Sequence, residues 1–111
     1  MVDVTIRGAG ILGLSIAWEC LQRGASVRVI DPYGVASGAS GGIVGALAPH
    51  VPENWNSKKA FQFESLMMAD GFWTSVQAAS GLSAGYARLG RVQPLPAGSA
   101  LDLAMARGEN A

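Results

Sequence analysis

Three glycines near the amino terminus have the spacing of a turn that can hold phosphate groups. Gly8, Gly10 and Gly13 follow an apolar, alternating stretch and open a segment with helical periodicity. Gly8 would permit a tight turn, Gly10 would let the backbone approach a pyrophosphate, and Gly13 would let the helix pack closely on the strands. The first backbone N–H groups of that helix, around Ile11 and Leu12, would then point at the phosphates.

An acidic residue stands where the ribose of a bound dinucleotide would lie. Asp31 follows a second apolar stretch, residues 26–30. A carboxylate at the end of that strand can accept hydrogen bonds from ribose hydroxyls, which favours FAD or NAD over NADP. Because strand, glycine turn, helix and acid all agree, the sequence predicts a dinucleotide-binding βαβ unit of the Rossmann type. The structural alternative is a strand–turn–helix unit that binds no phosphate.

The elements that would position these residues can also be predicted. Residues 2–6 and 26–30 are predicted strands. Residues 11–23 are a predicted helix, with Leu14, Ala17, Trp18 and Leu21 at helical spacing and Gly24 as its stop.

The second half of the chain is predicted to contain two more helices and short strands. Ser57 is the predicted N-cap of a long helix that carries Phe61, Glu64, Met68, Phe72, Val76 and Ala79 and stops at Gly81. Residues 86–95 are predicted to form two strand pieces hinged at Gly90. A last helix is predicted over residues 101–107.

Composition excludes several classes of protein. Half of the 111 residues are hydrophobic and 14% are charged, which indicates a folded domain. Eight basic and eight acidic residues cancel, so the sequence predicts no DNA partner. Charged residues interrupt the apolar opening segment, so neither a signal peptide nor a membrane span is predicted. A single cysteine allows no internal disulfide or cysteine metal cluster, and a cytoplasmic location is expected.

The segment after Asp31 resembles a known family. Residues 36–49 read ASGASGGIVGALAP, rich in small residues and hydroxyls, and this stretch resembles the D-amino-acid oxidase superfamily of flavoproteins, particularly its glycine oxidase-like and sarcosine oxidase-like members. The resemblance implies FAD as the cofactor, with NAD a minor alternative. It places Ala36 and Ser37 beside the adenosine and pyrophosphate half, and Gly41, Gly42 and Ile43 alongside the isoalloxazine ring. The predicted cofactor-binding residues are Gly8, Gly10, Ile11, Leu12, Gly13, Asp31, Pro32, Ala36, Ser37, Ser40, Gly41, Gly42 and Ile43.

The resemblance also implies an activity. Members of this kind oxidise the C–N bond of an amino acid or secondary amine and pass a hydride to the flavin. The same residues also resemble the flavin half of a tRNA wobble-uridine modification enzyme, although neutral charge argues against a tRNA partner. A remnant or accessory subunit without turnover is the third possibility.

The resemblance implies proteins considerably longer than this chain. We therefore predict an α/β fold in which residues 1–84 form part of an FAD-binding domain and residues 85–111 begin a β-rich substrate domain. The chain is expected to be a fragment or one part of a split enzyme. A lone βαβ unit exposes sheet edges and apolar faces, so self-association or a second chain that completes the fold is expected.

The remaining chemically reactive residues carry no assigned role. His50 is interpreted as a loop histidine and Cys20 as a small apolar residue of the first helix. Arg7 stands where the family usually has a small or apolar residue, and its side chain is expected to point to solvent. The pattern contains no Ser/His/Asp arrangement and no metal-ligand cluster. It therefore predicts where a cofactor binds but identifies no catalytic residue.

Overall fold

A computed structural model describes residues 1–96 and 98–109 of the chain. Contacts divide the chain into two compact units, Met1–Ala46 and Leu47–Ala111. The elements of the first unit are strand β1 (Val4–Arg7), helix α1 (Ile11–Gln22), strand β2 (Val27–Ile30) and a short 3-10 helix (Ala39–Gly41). The predicted strand–helix–strand order is therefore confirmed. The predicted domain boundary between residues 84 and 85 stays a prediction.

The two strands form a parallel sheet in which Val4 pairs with Val27 and Arg7 with Ile30. The Gly8 N–H group donates to the Ile30 carbonyl oxygen at 2.8 Å, so the pairing continues one residue into the turn. Helix α1 makes the connection that a parallel pair requires.

Strand β1 begins two residues later than predicted, and Asp3, just before it, is bound to Ser26 through its side chain. The Asp3 carboxylate accepts hydrogen bonds from the N–H and hydroxyl groups of Ser26, at 2.8 and 2.6 Å. These bonds from Ser26 lower the pKa of the Asp3 carboxyl.

The core of the first unit is built from small and branched side chains. Ile6 of β1, Ala9 of the turn and Ala17 of α1 are buried, and Leu14 and Trp18 are half-buried. Because Ala17 has only a methyl group, α1 can lie close to the sheet. Leu21, which shares the predicted apolar spacing, is more than half exposed at the end of the helix.

The second unit contains helices α2 (Ser57–Ser80) and α3 (Ser99–Glu109). The prediction of Ser57 as N-cap was wrong by one residue, because the Asn56 side chain accepts the hydrogen bond from the Lys59 N–H group at 3.1 Å. The predicted stop at Gly81 is confirmed. Gly81 adopts a left-handed conformation, and its N–H group donates to the Gln77 carbonyl oxygen.

The prediction of two strand pieces over residues 86–95 was wrong. These residues all lie in the described part of the chain and form no strand. Gly85 and Gly90 have positive φ angles, which interrupt an extended backbone, and no neighbouring strand offers hydrogen bonds to this segment. Helix α3 is longer than the predicted span of residues 101–107, and its residue Arg107 is ion-paired with Glu53 at 2.6 Å. In the part of the chain that the structure describes, no helix combines the length and apolar character needed to cross a bilayer.

Candidate functional site

The turn between β1 and α1 requires glycine at two positions. Gly8 has a φ angle of 109°, a conformation that other residues rarely adopt. A Cβ atom built on Gly13 would lie 2.0 Å from the Gly8 carbonyl oxygen. Since no side chain fits in that space, any substitution of Gly13 must push α1 away from the turn.

Asp31 connects the end of β2 to this turn. Its Oδ2 atom accepts a hydrogen bond from the Ala9 N–H group at 2.9 Å, and its Oδ1 atom accepts one from the Tyr33 N–H group at 2.8 Å. The bond from Ala9, followed by that from Tyr33, lowers the pKa of the Asp31 carboxyl. A carboxylate oxygen can accept more than one hydrogen bond, so both oxygens retain capacity for a further donor.

Ser40 contacts the start of α1 from the loop that follows β2. Its Oγ atom accepts a hydrogen bond from the Ile11 N–H group at 2.9 Å, although 29 residues separate the two. Gly10, the N-cap residue, has no side chain to do this. A Cβ atom on Gly10 would lie 3.0 Å from the Ser40 Oγ atom, so the absence of a side chain there also admits Ser40.

The loop around Ser40 is folded tightly upon itself. The Ala36 N–H group donates to the Ala9 carbonyl oxygen at 3.0 Å, and Ala36 has a positive φ of 56°. The Ser37 hydroxyl donates to the Gly34 carbonyl oxygen at 3.0 Å. A Cβ atom on Gly41 would lie 2.2 Å from the Ala36 carbonyl oxygen. Gly41 is therefore required for the loop to close.

A cavity of about 350 Å³, widely open to solvent, lies at this turn. Its walls are formed by Arg7, Gly8, Gly10, Ile11, Leu12, Gly13, Ala39 and Ser40. Six of the predicted cofactor-binding residues are thus brought together: the three glycines of the turn, Ile11, Leu12 and Ser40. The cavity is not lined by the other predicted residues, which are Asp31, Pro32, Ala36, Ser37, Gly41, Gly42 and Ile43.

Those seven residues are arranged differently. Asp31 and Ala36 are half-buried and contact the turn through Ala9. Pro32, Gly42 and Ile43 are exposed, and the Ile43 side chain is fully so. Arg7 and Ala39 also form the wall, although the glycine pattern did not predict them there. Arg7 is exposed, as expected, but its position beside Gly8 also places it at the cavity.

The electrostatic character of the cavity favours an anion. Arg7 is the one charged residue among the cavity's wall residues, and the amino-terminal end of α1 carries the positive end of the helix dipole. Among residues 1–96 and 98–109, no group of three His, Cys, Asp or Glu side chains is arranged to hold a metal ion. His50 is exposed in the second unit, and Cys20 is a half-buried free thiol of α1.

Known relatives match this chain over part of their length. The tRNA 5-methylaminomethyl-2-thiouridine biosynthesis bifunctional protein MnmC of Maricaulis maris is 46% identical over 48 residues, 43% of this chain and 8% of that relative. MnmC of a Psychrobacter species is 40% identical over 61 residues, 50% of this chain and 8% of the relative. The bifunctional protein ThiO/ThiG of a Nostoc species is 32% identical over 96 residues, 84% of this chain and 14% of the relative.

The chain therefore spans between 8% and 14% of the length of these relatives. No solved structure matches it significantly. The sequence model of one family, described as FAD dependent oxidoreductase, matches residues 3–111. That match includes the glycine turn, Asp31, the Ser40 loop and both helices of the second unit. The chain belongs to the FAD dependent oxidoreductase family.

Proposed function

We propose that this chain binds FAD through the cavity at the β1–α1 turn. The observation that carries the proposal is the glycine turn itself: Gly8 has a positive φ, no Cβ atom can be accommodated at Gly13, and Gly8, Gly10 and Gly13 all line the cavity without side chains. A backbone wall at a helix amino terminus suits a diphosphate, because N–H groups can approach its oxygens closely. The family match supplies the identity of the dinucleotide.

The residues around the cavity fit the parts of FAD. Gly10, Leu12 and Gly13 would present backbone to the diphosphate, and Ser40 would add a hydroxyl. Asp31 would accept hydrogen bonds from the ribose hydroxyls with the capacity that its bonds to Ala9 and Tyr33 leave. The exposed Gly42 and Ile43 would lie along the flavin ring, and Pro32, Ala36, Ser37 and Gly41 would shape the loop between ribose and ring.

We further propose that the whole protein oxidises the C–N bond of an amino acid or secondary amine. FAD, when bound, supplies the ring that accepts a hydride from the substrate. Support comes from the family match and from the MnmC relatives, whose name specifies an aminomethyl group, a carbon bonded to an amine nitrogen. The residues of this chain hold and orient the cofactor in this proposal.

A tRNA-modifying oxidoreductase is the second candidate. The matches to MnmC, at 46% identity over 48 residues and 40% over 61 residues, favour it. The net charge of zero argues against an RNA-binding surface on this part of the protein. A third candidate, a remnant that no longer binds cofactor, is separated from the first two by a binding measurement.

A cytoplasmic location follows as a proposal from the single cysteine.

The test is a titration of FAD with the purified 111-residue chain, followed by flavin fluorescence. We expect binding in the micromolar range and competition by ADP. Gly13→Ala should abolish binding, because its Cβ atom would collide with the Gly8 carbonyl oxygen. The matched control is Gly45→Ala, since a Cβ atom there meets nothing within 4 Å. Far-UV circular dichroism reports whether each variant retains its helices. Absence of FAD binding by the folded, unsubstituted chain would favour the remnant.

A further inference from the structure

Arg7 occupies an unusual position at the cofactor cavity. It is the last residue of β1, directly before Gly8, and it lines the cavity together with the glycine turn. Its neighbour Ile6 is buried while Arg7 is exposed, as the alternation of a strand requires. Arg7 therefore lies on the exposed face of the strand and at the cavity.

We infer that Arg7 binds the diphosphate of the cofactor as a cationic ligand. This inference rests on the proposed function, since it assigns one more residue to the same site. Backbone N–H groups are the donors that such a turn ordinarily uses, and an arginine adds a full charge and a planar fork that matches phosphate oxygens.

Two backbone N–H groups of the turn already have partners within the protein. The Ala9 N–H group is bound to the Asp31 carboxylate, and the Ile11 N–H group is bound to the Ser40 hydroxyl. Two backbone donors beside the cavity are therefore already engaged within the protein. A diphosphate that binds here has fewer free N–H groups to contact, so an additional donor contributes more to its affinity.

Arg7 has no competing partner among the described residues. In the part of the chain that the structure describes, Arg7 makes no ion pair and no side-chain hydrogen bond, whereas Arg23 is paired with Glu19 and Arg107 with Glu53. No acidic residue lines the cavity. The charge of Arg7 is therefore available to a bound anion.

The experiment compares Arg7→Ala with Arg28→Ala in the full 111-residue chain. Arg28 is the matched control because it is also an exposed strand arginine without an ion pair in the described residues, and it does not line the cavity. Three probes separate the parts of the cofactor: FAD, ADP, which keeps the diphosphate, and riboflavin, which has no phosphate. Binding is measured by fluorescence for the flavins and by competition for ADP.

We expect Arg7→Ala to lower the affinities for FAD and for ADP by the same factor, about five- to tenfold. A loss of this size is expected when a charged hydrogen bond at an exposed site is removed. The affinity for riboflavin should not change. Arg28→Ala should keep the affinities for all three probes within about twofold of those of the unsubstituted chain. Added salt should weaken FAD binding more in the unsubstituted chain than in Arg7→Ala, because screening acts on the charge that the variant lacks.

Two further variants keep the test decisive. Arg7→Lys retains the charge without the planar fork, so its affinities for FAD and ADP should lie between those of the unsubstituted chain and those of Arg7→Ala. If Arg7→Ala does not fold, Arg7→Gln takes its place. If the Arg7→Ala and Arg28→Ala variants bind FAD with the same affinity, and likewise bind ADP with the same affinity, this inference is overturned. The proposal of FAD binding itself would then stand. Failure of the folded, unsubstituted chain to bind FAD would overturn both proposals.

Discussion

Asp31 shows how one side chain joins two elements. Its carboxylate holds the turn through Ala9 and the loop start through Tyr33, so its charge stabilises the fold before any ribose is bound. From the sequence, the predicted role of Asp31 is to bind the ribose of a ligand. The hydrogen bonds to the backbone were not predictable, because they depend on how closely the turn approaches the end of β2.

The lowered pKa of Asp31 makes a prediction about acid stability. Hydrogen bonds from Ala9 and Tyr33 favour the ionised form, so the folded pKa lies below the ordinary value of 3.8. The contribution of Asp31 to stability is then complete above pH 3.8 and is lost as the pH falls through the folded pKa. We expect Asp31→Asn to be destabilised at pH 7, with the difference from the unsubstituted chain shrinking below pH 3.8.

Thermal unfolding of the two proteins between pH 7 and pH 3 tests this expectation. Glu64→Gln, on an exposed position of α2, controls for the loss of a negative charge. A difference that grows as the pH falls below 3.8 would show that the sign of the effect is wrong.

Helix ends were predicted from the sequence with an error of one or two residues. Gly81 was predictable as the stop of α2, because a left-handed cap conformation favours glycine wherever it occurs. The start was harder, because Asn56 and Ser57 are adjacent and both are good N-cap residues. In the structure the residue with the extended backbone of an N-cap is Asn56.

The assignment of Asn56 as N-cap gives a direct comparison of neighbours. Asn56→Ala removes the hydrogen bond to the Lys59 N–H group and should lower the free energy of unfolding of α2 by about 1 kcal/mol. Ser57→Ala, within the first turn, should change it by less than about 0.5 kcal/mol. Chemical denaturation followed by circular dichroism measures both. An equal loss in the two variants would contradict the assignment.

Elements whose signal is local could be predicted, and those that depend on distant contacts could not. The unit β1–α1–β2 follows from glycine spacing and from hydrophobic periodicity within residues 2–30. Residues 86–95 have residues typical of strands, yet a strand needs a neighbour to accept its hydrogen bonds, and the nearby sequence cannot reveal one. The Ser40 cap on α1 was missed for the same reason.

The whole chain exposes more surface than its mass requires. Its accessible surface is 8976 Å² for a mass of 11.4 kDa. Two separate compact units of 46 and 65 residues would expose about 6,900 Å² together. The excess of roughly 2,000 Å² is larger than the roughly 800 Å² that each partner buries in a standard interface, so the folded chain has enough uncovered surface to bind another polypeptide.

Helix α2 presents part of that surface. Phe61 and Met68 are 75% and 70% exposed, and their spacing of seven residues places them on one side of the helix. Net charge at neutral pH is zero, with a sequence pI near 6.5, so electrostatic repulsion between copies is weak. We predict that the isolated chain self-associates in a concentration-dependent manner at pH 7 through this side of α2.

Size-exclusion chromatography with light scattering, over a range of protein concentrations, measures the association. Phe61→Ser combined with Met68→Ser should shift the protein toward the monomer mass of 11.4 kDa. Thr74→Ser is the control, because Thr74 is exposed on the opposite side of α2. Raising the pH well above 6.5 should also reduce association, because each copy then gains net negative charge. A monomer at every concentration would mean that the exposed side of α2 does not drive assembly.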